Sequence, residues 1–475
     1  MPGDPSLTSE PPLAYRPATE LVAMIRARQL AARELTEHYL ARIERLDAPL
    51  RSNVAVLAER ALQEAAAADE RTMAGGPTGP LHGVPVTIKD FNRFAGTPTT
   101  MGTRSLAGWV AEADDAVVAR LRGAGAIVIG KTNVPEFGTI GHTDTALHGP
   151  CATPWDLTCN AGGSSGGAGA GLAAGRCGLA QGSDAGGSIR IPAAVNGLVG
   201  LKPARDRVSN APLLGDLGFG LVTSGALTRT VADAALALDV LAGYEPGDPG
   251  QAPPPVRPFV QEVGGDVGRL RIGIDRQTLL TPGGLHASVE AALDATVEVL
   301  SGLGHDLEEL TLPVPPTIGE LMLTVWAADL AAQPVDPSTF EPVNVWLAQV
   351  GRTRRAAEAA AAPYRLQLLA RGGGGYLTPR RGRPAGAHRS LPAQRSVRRL
   401  GRRGGLRRPD RLGRPDPAAQ PHRPALDQPA AAPRRRGGTR RGAAGRPAVG
   451  RGRAAAPGRS GRGGCQHRPD SPGFD

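Results

Sequence analysis

The spacing of apolar side chains along the chain predicts an alternation of helices and strands. Three amphipathic helical patterns open the chain, over Thr19–Gln29, Ala32–Leu46 and Val56–Met73. Two β-branched runs follow, Gly83–Asp90 and Ala126–Gly130, and between them a helix is predicted over Asp114–Gly123, with Asp114 or Asp115 as its N-cap. A strand, a helix and a strand in this order indicate an α/β fold with a largely parallel sheet.

The alternation resumes after a glycine-rich region at residues 162–200. The pattern there predicts a helix, a strand, a helix, a strand and a helix, over Thr230–Ala242, Leu270–Asp275, His286–Leu303, His305–Leu312 and Ile318–Ala332. A proline-rich stretch, Pro246–Pro258, is typical of a linker or a surface crossover. A chain of 475 residues without an internal repeat fits one large α/β domain or two to three smaller ones.

The composition changes abruptly after Ala370. Residues 371–475 hold 26 Arg, 21 Gly and 14 Pro, with no Lys and only nine Leu, Ile, Val or Phe. Their net charge is +21, so the total of +11 leaves −10 on the first 370 residues. Such a segment buries too little apolar surface to offset its chain entropy, and we expect it to be disordered. The sequence therefore predicts a folded domain at 1–370 and a tail at 371–475.

Three interpretations of the tail compete. Its arginines could bind nucleic acid, which would make the protein a non-catalytic interaction protein; it could be an inert extension; or it could be an out-of-frame translation of GC-rich coding sequence. The third is favoured because Arg, Gly, Pro and Ala all have GC-rich codons and the change is abrupt. Nucleic acid is disfavoured as a partner because neither lysines nor interleaved aromatic residues accompany the arginines.

Cysteine usage and apolar runs exclude several classes of protein. The four cysteines form no CxxC pair and no metal-ligand spacing: Cys151, Cys159, Cys177 and Cys465. This argues against a zinc site and for a reducing compartment. The N-terminus lacks the pattern of a signal peptide, and no apolar run approaches the ~20 residues that span a bilayer. We expect a cytoplasmic protein without metal, cofactor or membrane association.

Lysine usage points to the chemistry. The chain has 52 Arg and only three Lys, namely Lys89, Lys131 and Lys202. Unlike Arg, a lysine can lose its proton near neutral pH when it is buried. Lys89 ends an apolar strand, so its neutral amine could act as a base. The alternative is a strand-end lysine whose ammonium reaches solvent.

The segment Ala161–Gly171 is rich in Gly and Ser. Its glycines permit close approach of the backbone to a ligand, although a flexible loop is the commoner use of such composition. It lacks the lysine of a phosphate-binding loop. Gly163–Gly167 does match G-x-S-x-G, the nucleophile elbow of serine esterases. That motif needs a preceding strand, and Thr158–Ala161 is a poor one. It also needs a downstream Asp and then a His, for which only His286 and His305 are available, so a Ser-His-Asp esterase stays an alternative.

A third segment, Gly182–Pro192, places Gly186 and Gly187 beside Ser188. Successive backbone N–H groups there could hold an oxyanion while the hydroxyl attacks. The alternative is a tight turn in which Ser188 caps the next helix.

The three segments together supply a nucleophilic hydroxyl, a second hydroxyl and a buried amine, a Ser-Lys variant of triad logic that needs no histidine. Lys89 cannot easily reach Ser188 and stay shielded from solvent, so a bridging hydroxyl such as Ser164 makes chemical sense.

From about Leu81 to Asp248 the chain resembles the amidase signature family. The resemblance is carried by the motifs LHGVPVTIKD, VIGKTNVPEFG, GGSSGG, QGSDAGGSIRIPAA and NGLVGLKP, which occur in the family's order. The 24-residue separation of Ser164 and Ser188 also matches. The resemblance implies an α/β/α sandwich around a mixed, mostly parallel sheet.

It also implies a Ser–cis-Ser–Lys triad. Ser188 would be the nucleophile, Ser164, preceded by a non-proline cis peptide bond, would relay the proton, and Lys89 would be the base. The family's oxyanion hole would be the backbone N–H groups of Ala185, Gly186, Gly187 and Ser188. Asp184 and Arg190 match positions that would support this loop by hydrogen bonds.

The resemblance further implies hydrolysis of an amide. Leu147–Leu157 looks similar to the branch of general amidases and 6-aminohexanoate cyclic-dimer hydrolases, which predicts a small linear amide as substrate. An A-type component of glutamyl-tRNA amidotransferase is the alternative, whereas fatty-acid amide hydrolases are disfavoured for want of a membrane segment. A homodimer stays open.

The family normally continues past the position of Ala370 with helices and strands that complete the sheet, and residues 371–475 do not resemble them. If the tail is part of the protein, we expect an exposed sheet edge, poor solubility and weak or no activity.

Overall fold

The computed structural model of the chain describes residues 12–278, 284–312 and 314–377. Its helices are α1 (Ala18–Arg26), α2 (Ala32–Leu50), α3 (Ala58–Met73), α4 (Ala116–Gly123), α5 (Gly166–Ala173), α6 (Arg190–Val195), α7 (Val231–Leu241), α8 (Ala287–Gly302), α9 (Ile318–Ala331), α10 (Pro342–Thr353) and α11 (Ala356–Leu377). Its strands are β1 (Asn53–Val56), β2 (Pro85–Lys89), β3 (Ile127–Thr132), β4 (Ala152–Thr153), β5 (Asp156–Asn160), β6 (Leu179–Asp184), β7 (Val199–Leu201), β8 (Thr223–Thr228), β9 (Arg271–Ile274) and β10 (Asp306–Glu309). Short 3₁₀ turns lie at Leu13–Tyr15, Arg104–Leu106, Glu136–Gly138, Phe259–Glu262 and Pro337–Thr339.

The central sheet has the strand order β1-β3-β2-β6-β8-β7. Strands β3, β2 and β6 are parallel, β1 and β8 run against them, and β7 is antiparallel to β8. Four of the six strands therefore point the same way, and the expected mixed, mostly parallel sheet is confirmed. Two smaller sheets pair β9 with β10 in parallel and β4 with β5 in antiparallel orientation.

Helices cover both faces of the central strands. Every residue of β2, β3, β6 and β8 is buried. Because successive side chains of a strand point to opposite faces, complete burial requires cover on both sides. Apolar residues of α1, α2, α3, α4, α5 and α7 pack with those of the strands in one core. Burial on both faces explains why β2 and β3 have nearly continuous apolar runs, whereas a strand with one exposed face would alternate apolar and polar residues.

Helix α5 is the tightest element of this core. Its sequence, GGAGAGLA, carries little side-chain bulk. A Cβ on Gly167 would lie 2.3 Å from both the backbone N of Asn133 and the backbone O of Ser52. The helix can approach the end of β3 this closely only because glycine has no side chain. The Gly/Ser segment is thus a packed helix start rather than a flexible loop.

The patterned elements are found close to their predicted bounds, with two exceptions. Val56 begins no helix but ends β1, which pairs with β3. The segment expected to be a poor strand lies largely within β5, Asp156–Asn160. That strand belongs to the small β4–β5 sheet and not to the central one. It therefore does not create the strand-to-helix turn of a nucleophile elbow.

The predicted boundary at Ala370 lies inside a helix, because α11 continues to Leu377. The disorder expected for the remainder of residues 371–475 concerns positions outside the described residues. The division into a domain at 1–370 and a tail stays a prediction. Within the ranges that the structure describes, no helix is both long and apolar enough to cross a membrane.

Candidate active site

Lys89 lies at the end of β2 and is completely buried. Its Nζ donates hydrogen bonds to Ser164 Oγ at 2.8 Å and to Ser183 Oγ at 3.0 Å, and lies 3.4 Å from the Ser183 carbonyl oxygen. Burial lowers the pKa of Lys89 to about 7, and the charge of Asp184 opposes that shift. The structure therefore supplies an amine that can be neutral near neutral pH.

A polar side chain inside the sheet fixes the backbone of Lys89. The Lys89 N–H donates to Gln181 Oε1 at 3.0 Å, and Gln181 Nε2 donates to Asn92 Oδ1 at 2.9 Å. Gln181 lies on β6 and has no exposed surface. Sequence reasoning passed over both Gln181 and Ser183. The one available signal was a run of polar residues, QGSD, in what is otherwise a buried strand.

Ser164 is 2% exposed and lies between β5 and α5. The peptide bond between Gly163 and Ser164 is cis. Around this bond, Gly162 donates its N–H to Asn160 Oδ1 at 3.0 Å, and its carbonyl accepts from Thr143 Oγ1 at 2.8 Å. The loop that precedes the serine is thus held by two hydrogen bonds, and the Ser164 hydroxyl meets the Lys89 amine.

Asp184 organises the loop that follows β6. Its buried carboxylate accepts from the N–H groups of Gly187 at 2.8 Å and Ile189 at 3.1 Å, and from Arg190 Nε and Nη2 at 2.9 and 2.8 Å. Burial would raise the pKa of Asp184, but the hydrogen bonds from Arg190, Gly187 and Ile189 lower it below its usual value. The loop is therefore tied to an ionised carboxylate.

One member of the predicted oxyanion hole needs correction. The N–H of Gly187 is engaged by Asp184, so it is not free to hold an oxyanion in this structure. Gly187 has φ +120°, and a Cβ there would come within 2.8 Å of Ile191 Cδ1. The N–H groups of Ala185, Gly186 and Ser188 have no acceptor elsewhere in the described ranges. The bend that turns the Gly187 N–H inward was invisible in the sequence.

Ser188 is half-buried and lines a cavity of about 270 Å³ together with Ser164 and Ser183. Its carbonyl accepts the Ser165 N–H at 3.1 Å, which links the two serine loops. No hydrogen bond joins the hydroxyls of Ser164 and Ser188 among the contacts of the described chain. Ser188 does not cap the next helix, because α6 begins at Arg190 and has no side-chain cap.

The other two lysines serve different purposes. Lys131 forms an ion pair with Asp90, with Nζ and Oδ1 2.9 Å apart, and both side chains are buried. Lys202 is half-buried and donates to the Pro203 carbonyl at 2.6 Å. Neither lines the cavity beside Ser188. The rarity of lysine in the sequence therefore points to Lys89, which contacts Ser164, but equally to Lys131 and Lys202, which lie outside the candidate site.

The histidines of the esterase alternative are held by local contacts. His286 caps α8 and accepts from the Ser288 N–H at 3.2 Å, and His305 accepts from the Leu270 N–H at 3.2 Å. No histidine is found among the described residues that line the cavity. Among all the residues that the structure describes, no group of three or more His, Cys, Asp or Glu side chains is placed to hold a metal ion.

Comparison with known proteins identifies the family. The family model described as Amidase matches residues 34–353. The chain belongs to the amidase signature family. This amidase signature protein is 39% identical over 339 residues to a relative from Synechocystis sp. and spans 66% of that relative's length.

Other similar proteins have names that state an activity. The A-type component of glutamyl-tRNA(Gln) amidotransferase from Streptomyces coelicolor is 40% identical over 297 residues, which are 62% of this chain and 59% of that protein. The solved structure of 6-aminohexanoate cyclic dimer hydrolase complexed with substrate is 29% identical, with a TM-score of 0.71 over 77% of each chain. A bacterial aryl acylamidase of the amidase signature family is 29% identical, with a TM-score of 0.69 over 75% of each chain. The chain thus spans 59–66% of the length of these two curated relatives.

Proposed function

We propose that this protein is an amidase that hydrolyses the C–N bond of small linear amides, giving a carboxylate and ammonia or an amine. The observation that carries the proposal is the completely buried Lys89 amine, 2.8 Å from the hydroxyl of Ser164, which lines the same cavity as Ser188. Family membership and the amidases among the solved relatives support the same reaction.

The proposed mechanism passes a proton from one hydroxyl to the next. Neutral Lys89 accepts a proton from Ser164, which accepts one from Ser188. The Ser188 oxygen attacks the amide carbonyl carbon and forms a tetrahedral intermediate. The C–N bond then breaks as the nitrogen takes the proton back along the same path. Water, deprotonated by the same relay, hydrolyses the ester on Ser188 and restores the enzyme.

The loop after β6 stabilises the intermediate in this scheme. The oxyanion of the tetrahedral intermediate would accept hydrogen bonds from the N–H groups of Ala185, Gly186 and Ser188. These three N–H groups have no acceptor among the described residues. Asp184 would hold the loop in place through Gly187 and Arg190. Donors fixed in advance cost no reorganisation when charge develops on the substrate oxygen.

The direct test is Ser188→Ala, with Ser301→Ala as a matched control at an exposed position of α8. Release of ammonia from simple amides by the purified chain should fall by about 10³-fold or more in Ser188→Ala and stay unchanged in the control. Thermal unfolding of both variants should match the wild type, because Ser188 Oγ makes no hydrogen bond within the described chain. Retained turnover in Ser188→Ala would refute the assignment.

A second candidate function is that of an A-type component of glutamyl-tRNA(Gln) amidotransferase, favoured by 40% identity to the Streptomyces coelicolor protein. Such a component would require partner proteins and glutamine. Assays of the pure chain on simple amides, with and without a tRNA-binding partner protein, separate the two. Turnover of simple amides by the chain alone favours the general amidase, whereas glutamine hydrolysis that appears only with the partner favours the amidotransferase.

A further inference from the structure

The cavity beside Ser188 contains one carboxylate that no cation among the described residues neutralises. Three of the described residues that line it are charged: Arg93, Asp115 and Asp329. Arg93 and Asp115 form an ion pair, with Arg93 Nη2 and Asp115 Oδ1 2.6 Å apart. The Asp329 side chain forms neither a hydrogen bond nor an ion pair with any residue that the structure describes. It therefore offers the cavity a negative charge that is free to meet a ligand.

The surroundings of Asp329 strengthen this polarity. Its side chain is exposed to solvent, although the residues around it remove part of its hydration. This loss of hydration and the neighbouring carboxylate Asp216 both raise the pKa of Asp329, and no positively charged group among the described residues opposes them. A carboxylate near a second one is stabilised when a cation binds.

Asp329 lies on the same helix as a residue that covers the serine loop. It lies on α9, three residues after Trp326, or about 4.5 Å along the helix axis. The Trp326 ring lies over Gly186, because a Cβ there would be 3.3 Å from the ring atom Cζ2. Trp326 and Leu330 of α9 both line the cavity, as does Leu217. An apolar wall thus leads from the loop beside Ser188 to the free carboxylate.

We propose that Asp329 makes this site selective for amides that carry a cationic group, an ammonium or a guanidinium, joined to the scissile amide by a short apolar chain. The proposal rests on the proposed function, since it takes Ser188 as the point where the amide is held. The amide would sit at the serine loop, the apolar chain along Trp326 and Leu330, and the cation at the Asp329 carboxylate. An amide with a carboxylate at its far end would be rejected by charge repulsion.

The test measures binding without turnover. In the Ser188→Ala protein, isothermal titration calorimetry compares 5-aminopentanamide, pentanamide and 4-carbamoylbutanoate, which share a chain length and differ in terminal charge. The cationic amide should bind about two- to fivefold more tightly than the neutral one, as expected for an ion pair at a solvent-exposed carboxylate, and the anionic amide most weakly. Adding Asp329→Asn should abolish the preference, and Asp329→Glu should retain most of it.

Glu298→Gln is the matched control, because it removes one negative charge from an exposed position on α8. It should leave the preference intact, which excludes an effect of net charge alone. Equal affinities, no measurable binding of the cationic amide, or a preference that survives Asp329→Asn would overturn the proposal. Hydrolysis by the wild-type protein is scored separately. Turnover without charge preference refutes only the role of Asp329, and charge-selective binding without turnover of any amide refutes only the proposed function.

Discussion

Two buried lysines on neighbouring strands differ in the partners of their amines, and only one of them is proposed to act as a base. Lys89 ends β2, and Lys131 lies on β3 beside it; both are completely buried, and burial lowers the pKa of each. Lys131 has the Asp90 carboxylate at 2.9 Å and also donates to the Thr99 hydroxyl at 2.7 Å and to two backbone carbonyl oxygens. Lys89 has only the hydroxyls of two serines and one carbonyl oxygen within hydrogen-bond distance among the described residues. Burial is common to both sites, whereas the carboxylate is not.

The partners determine which form of each amine is stable. A carboxylate and carbonyl oxygens can only accept hydrogen bonds, so they favour the ammonium form of Lys131. Hydroxyls can donate as well as accept, so they also suit the neutral form of Lys89. The carboxylate that acts on Lys89, Asp184, is already bound by Arg190. Lys131 is thus suited to hold structure and Lys89 to move a proton.

The largest expected effect is the loss of activity in Lys89→Arg. A guanidinium cannot be deprotonated in a protein, so the proposed relay loses its base and kcat/KM should fall by about 10²–10⁴-fold in an ammonia-release assay. Lys202→Arg is the matched control and should retain wild-type activity, because that side chain is outside the cavity. Near-normal turnover by folded Lys89→Arg protein would show that the two buried lysines do not differ in the proposed way.

The next effect is on stability and is expected from Lys131→Met. This change leaves the Asp90 carboxylate buried without its cation, which costs about 3–5 kcal/mol of unfolding free energy in comparable pairs. Urea unfolding measures the loss. The double variant Lys131→Met/Asp90→Asn should recover part of it, because the uncompensated charge is gone. If Lys131→Met unfolds like the wild type but loses activity, the role of Lys131 is not the structural one given to it here.

The smallest effect is a shift of the pH profile in Ser183→Ala. In the proposed mechanism the neutral Lys89 amine is the base, so kcat/KM should fall as pH drops below about 7 and level off above it. Removing the Ser183 hydroxyl takes one hydrogen-bond acceptor from the ammonium form, so the midpoint should move to lower pH by less than about one unit. Ser183→Thr keeps a hydroxyl and should restore the wild-type midpoint. A midpoint that moves to higher pH, or a profile that does not depend on pH between about 6 and 8, would contradict this account of the Lys89 site.

Much of the fold could be predicted from pattern. The runs that form α1 to α4, β2 and β3 have the length and periodicity of their elements, and the resemblance to the amidase signature family implied how the sheet is arranged. Strands β6 and β8 could not be predicted in this way. Their sequences, LAQGSD and TSGALT, are rich in Gly and polar residues and carry no apolar periodicity. Their burial follows from packing by neighbours that are distant in the sequence.

The residues of the candidate site also fall into those that the sequence could indicate and those that it could not. Lys89, Ser164 and Ser188 could be named because rare lysines and Gly/Ser motifs are local features of sequence. Ser183 could not, since a serine on a strand has many uses and only its distance to the Lys89 amine gives it one. Asp329 belongs to a helix far along the chain, and its place in the cavity depends on where α9 packs.

By itself, the sequence determined which residues can do chemistry: three lysines among 52 arginines, two serines in glycine-rich segments, and an acidic first part of the chain beside a basic last part. The tertiary structure decided which of them share a site and in what state. Lys89 and Lys131 differ little in local sequence, each ending a buried apolar run. Only folding places a carboxylate against the amine of Lys131 and leaves Lys89 with hydroxyls and one carbonyl oxygen among the described residues. The pKa of a buried amine depends on those neighbours rather than on its own strand.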